Sequence, residues 1–80
     1  MQVQIELTSE SRDLLLNHFK ERTELHEILQ RAKHEELAGV AVYSFDCDLP
    51  HAEELLRMAR EHCPPAVKDI EHAISAATAH

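Results

Sequence analysis

The chain has one glycine, no tryptophan, one tyrosine and two phenylalanines in 80 residues. A loop that cradles phosphate on backbone amides needs several glycines close together, so that class of nucleotide site is excluded. With Phe19, Tyr43 and Phe45 as the only aromatics, the interior must be filled by Leu, Ile, Val and Ala. Bases are scarce as well: eight Lys and Arg stand against fifteen Asp and Glu, a formal charge of −7. Nucleic acid and anionic lipid are both gripped by clustered Lys and Arg, so this balance argues against direct contact with either. No stretch approaches the roughly 18 apolar residues of a membrane span. The start, "MQVQIELTSE", does not follow a basic segment with an apolar run as a secretory signal would. The expectation is a cytoplasmic protein in which Cys47 and Cys63, the only cysteines, remain free thiols.

A chain of this length reads as a single small domain, residues 1–80, with a thin core. Domains of this size often draw extra stability from a staple or a second subunit.

"QVQIEL" alternates Val3, Ile5 and Leu7 with Gln2, Gln4 and Glu6, the period of a half-buried strand. Thr8 or Ser9 then offers an N-cap, with Glu10 and Asp13 near the positive end of a helix dipole. Between residues 9 and 38 the apolar face turns. Leu15, Leu16 and Phe19 lie on one side, while Leu25, Ile28, Leu29 and Ala32 centre about a third of a turn away. The rotation predicts a break near Arg22 and Thr23 and two helices, about 9–21 and 24–38, with Thr23 capping the second. Gly39 is expected as the left-handed residue that closes that second helix.

"VAVYSF", residues 40–45, is rich in β-branched and aromatic residues and reads as a second strand. Asp48 is a suitable N-cap for a third helix, with Pro50 in its first turn, where no amide donor is needed. Ala52, Leu55, Leu56, Ala59 and Cys63 give that helix one apolar stripe. Pro64 and Pro65 separate it from a last helix with the stripe Val67, Ile70, Ile74 and Ala77. The fold class is therefore α+β, mostly helical, in the order β-α-α-β-α-α. Its two strands have open edges, which a homodimer would cover by completing the sheet.

Seven histidines are the main chemical anomaly. His18, His26 and His34 recur every eight residues, a step that turns a helix about 80°, so they share no face. His51 and His62 share a side of the third helix but stand about 16 Å apart. The metal set with the best prospect is Cys47, His51 and Cys63 with His62 or His72, for zinc or nickel in an accessory protein. No Cys-x-x-Cys, His-Glu-x-x-His or Glu-x-x-His anchors it. His62 adjoins Cys63, but helical neighbours point about 100° apart, so they make a poor nucleophile and base. The chain is expected not to be an enzyme.

The opening strand and capped helix are similar to the start of a ribbon-helix-helix repressor over about twenty residues. That family reads the major groove with its strand, and here the strand face would show Gln2, Gln4 and Glu6 with no base. An antitoxin-like regulator is accordingly a third-ranked reading. The leading one is a small binding protein (adaptor, inhibitor or regulator) for a partner with a basic surface. Asp46, Asp48, Glu53 and Glu54 are its expected contact face, with Tyr43 as an aromatic anchor.

Overall fold

The structure is a computed structural model and describes residues 1–20 and 23–79. In chain order it runs β1 (Gln2–Thr8), α1 (Ser9–His18), α2 (Glu24–Gln30), β2 (Lys33–Leu37), β3 (Val40–Asp48), α3 (Leu49–His62) and α4 (Pro64–Thr78). The three strands form an antiparallel sheet in the order β1-β3-β2, with β3 in the middle. The α+β class and the two expected strands are present, but the sheet has a third strand that the periodicity assigned to a helix.

The alternation in β1 has the expected consequence. Val3, Ile5 and Leu7 are buried and the residues between them are exposed. On β3, Cys47, Phe45 and Tyr43 stand opposite Val3, Ile5 and Leu7, so these six share the inner face. Leu15 of α1, Leu29 of α2, Ala52, Leu55 and Ala59 of α3, and Ala66 and Ile70 of α4 complete the core on that side. The helices thus form one layer and the sheet the other, which leaves the outer face of the sheet to solvent.

Thr8 caps α1, its hydroxyl oxygen accepting from the amide of Ser11 at 3.3 Å. The helix ends at His18, short of the expected residue 21; of the break expected near Arg22 and Thr23, Arg22 lies outside the described residues. Thr23 does cap α2, accepting from the His26 amide at 3.3 Å.

The expected helix 24–38 is the principal correction. It stops at Gln30, and Lys33–Leu37 pairs with β3. Continuing the stripe of Leu25, Ile28, Leu29 and Ala32 would put Glu35 and Glu36 on the apolar side, so nothing holds another helical turn against the core. Gly39 does have the left-handed conformation, at φ 80°, but as half of a two-residue hairpin loop with Ala38 at φ 51°. Leu37 and Val40 face each other across it. Two consecutive positive φ values are the requirement of a tight hairpin turn whose twist matches the strands.

The two edges of the sheet differ. α4 packs against β1, and its Asp69, His72, Ala73 and Ala76 line a cleft of about 340 Å³ together with Gln4 and Glu6. The β1 edge is therefore flanked by a helix. Among the described residues, no strand lies on the far side of β2.

Candidate functional site

The outer face of the sheet follows from strand register. Rows across the strands read Leu37–Val40, Glu35–Val42–Thr8, Lys33–Ser44–Glu6, Asp46–Gln4 and Asp48–Gln2. One end is apolar, with Leu37 and Val40 about half exposed at 47% and 51%. The rest is acidic: Glu6, Glu35, Asp46 and Asp48 stand against Lys33 alone. Lys33 Nζ lies 3.5 Å from Glu35 Oε1, which leaves Glu6, Asp46 and Asp48 as a continuous negative stretch.

Asp48 is the residue before α3, but its side chain caps nothing. Its carboxylate instead accepts from Gln2 Nε2 at 2.7 Å, joining β3 to β1 on the outer face. The expected cap role is thus replaced by a cross-strand contact, because the strand continues to Asp48 and points that side chain outward.

The five residues expected to meet a partner do not lie together. Asp46 and Asp48 share the outer face. Tyr43 is on the inner face, with the Arg12 guanidinium carbon 3.8 Å from its ring centroid and the His34 ring edge-on at 5.2 Å. Glu53 and Glu54 are exposed on α3, in the helical layer and not on the sheet face that carries the two aspartates. Sequence reasoning missed Glu6, Leu37 and Val40, and left Glu35, the first acid of the run that ends at Glu54, out of the named contact set. Parity would have found Glu6, since residues paired across antiparallel strands share a face, but that step requires the register.

The metal set is likewise dispersed. Cys47 and Cys63 are free and buried in the core. His51 is half-buried, with Nε2 3.1 Å from Glu24 Oε2, tying the start of α3 to the start of α2. His72 lines the α4 cleft. His62, the other option, stacks on His18 with ring centroids 4.0 Å apart and planes within 15°. Lone pairs lie in the plane of an imidazole, so rings stacked in this way do not aim at one ion. Among the described residues no three His, Cys, Asp or Glu side chains are grouped to hold a metal. Burial, and then Asp48 and Asp46, push the Cys47 thiol up from 9.0 to about 11. A thiol raised in this way is a poor nucleophile at neutral pH.

A second cleft, of about 400 Å³, opens at the hairpin between Thr8, Ser9, Glu10, Gly39, Val40 and Ala41. Each cleft lies where a helix meets the rim of the sheet, the first between α4 and β1 and the second between the start of α1 and the hairpin. Among the described residues no helix is long and apolar enough to cross a membrane. No protein family, curated protein or solved structure matches this chain.

Proposed function

We propose that the protein acts without catalysis, by binding another protein through the outer face of its sheet. The partner presents a basic surface, and binding makes this chain an adaptor, inhibitor or regulator of it. One observation carries the reading: Glu6, Asp46 and Asp48 stand adjacent and exposed on the outer face of the sheet, with α4 reaching only its β1 margin and Leu37 and Val40 exposed at its other end. Solvated carboxylates raise the rate and selectivity of encounter with a positive surface, while the apolar end supplies area to bury. This contact face keeps Asp46 and Asp48 from the expected set, adds Glu6, and leaves out Glu53 and Glu54.

The test is affinity capture from the native cell, with the retained protein identified by mass spectrometry and then released by a salt gradient. A basic partner that elutes as salt rises supports the reading, because exposed charge pairs weaken with ionic strength. A partner that is acidic, or indifferent to salt, contradicts it.

A further inference from the structure

The open edge of β2 has a definite hydrogen-bonding pattern. In a hairpin closed by a two-residue loop, the residues flanking the loop exchange both backbone hydrogen bonds. Leu37 and Val40 are that pair, and by alternation Glu35–Val42 and Lys33–Ser44 are bonded too. The amides and carbonyls of His34 and Glu36 therefore point away from β3, toward the unpaired side. They are two donors and two acceptors aligned for one further strand.

We propose that this edge takes up an extended basic segment of the partner as a fourth strand. The inference rests on the basic-partner reading above and names the mode of contact. Charge selects the occupant. On the outer face the added strand meets Lys33, Glu35 and Leu37, and on the inner face His34 and Glu36. A Lys or Arg opposite Glu35, which exchanges its exposed 3.5 Å contact with Lys33 Nζ for the incoming base, and an apolar residue opposite Leu37 complement the outer row, which leads on to Val42 and Val40. A second copy fits less well. The symmetric register that engages all four free groups sets His34 against Glu36 but places Glu35 directly opposite its own symmetry mate. Like charges at that position are destabilising. Sliding the copy by two residues moves either His34 or Glu36 off the strand and forfeits half the bonds.

The probe is a capped heptapeptide, threonine-valine-threonine-lysine-threonine-valine-threonine, whose alternation puts valine, lysine and valine on one face in either direction. It is titrated into the ¹⁵N-labelled full chain at low salt. The expected result is slowed hydrogen exchange at the His34 and Glu36 amides, with the Lys33, Glu35 and Leu37 amides unchanged. Replacing the peptide's lysine by glutamate should weaken binding roughly fivefold, the scale of one cross-strand charge pair. Glu35→Lys should reverse that preference. Unprotected His34 and Glu36 amides at millimolar peptide would overturn the proposal. So would amides already protected without peptide in a chain sedimenting at twice its mass, since a second copy would then hold the edge. Peptide failure alongside salt-sensitive capture of a basic partner strikes only the edge and leaves the face standing.

Discussion

Arg12 of α1 lies over Tyr43 of β3, its guanidinium carbon 3.8 Å from the ring centroid. The contact fastens the first helix to the central strand at the margin of the core. Arg12 Nε is buried without a hydrogen-bond partner, because its 3.3 Å approach to Asp13 Oδ1 lacks the geometry of one. The Tyr43 ring face and the Asp13 carboxylate are therefore the two favourable surrounds of that charge. In a double-mutant cycle, Arg12→Met and Tyr43→Leu should show a coupling of about 1 kcal/mol, the usual size of a partly desolvated cation–π pair. Additive effects in urea unfolding would show that the two side chains are merely neighbours. Tyr43 is thus an internal fastener, and Tyr43→Phe should leave partner capture intact.

The hairpin loop yields a pair of opposite effects. Gly39→Ala should cost about 1 kcal/mol, since alanine is strained at φ 80°. Nothing lies within 4 Å of the added methyl, so the cost is conformational and not steric crowding. Ala38→Asn should stabilise by several tenths of a kcal/mol, because asparagine accepts the left-handed region that Ala38 now occupies at φ 51°. Thermal melts of both variants check this. Equal melting temperatures would mean the turn is not of this type in solution.

Cys47 sets an alkaline limit on stability. Its thiol is raised from 9.0 to about 11 in the folded chain, by burial first and then by Asp48 and Asp46. The unfolded chain loses that proton from about pH 9, whereas the folded chain keeps it to about pH 11. Stability is therefore intact below pH 9 and declines between pH 9 and 11, by an amount on the order of 2 kcal/mol. Cys47→Val should flatten that part of the profile, measured by urea unfolding at pH 8, 9 and 10. The same decline in the variant would assign the loss to other groups.

The parts of the fold with a regular apolar period were legible. β1, α1, α3 and α4 each carry a stripe that a single buried face explains, and Thr23 marked the start of α2 correctly. β2 was not legible, for a physical reason. Lys33–Leu37 holds Glu, Lys and Leu, which favour helix, and as an edge strand it has little apolar patterning of its own. It is a strand because β3 offers it a ladder and the Ala38–Gly39 turn folds it back. The candidate site suffered from the same gap. Asp46 and Asp48 were recognisable as exposed acids, but their grouping with Glu6, and their separation from Glu53 and Glu54, depends on strand register.

That separation gives the most direct test of the account, which holds that the outer sheet face and not the helical layer meets the partner. Capture from cell extract is quantified side by side for the unaltered chain and two neutralised forms. One carries Glu6→Gln, Asp46→Asn and Asp48→Asn on the sheet, and the other Glu53→Gln and Glu54→Gln on α3. Circular dichroism confirms that each form folds. The sheet variant should lose most of the captured basic partner, about tenfold if each carboxylate contributes about 0.5 kcal/mol, while the helix variant retains it. Loss confined to the helix variant, or equal capture by all three, would contradict the assignment of the face.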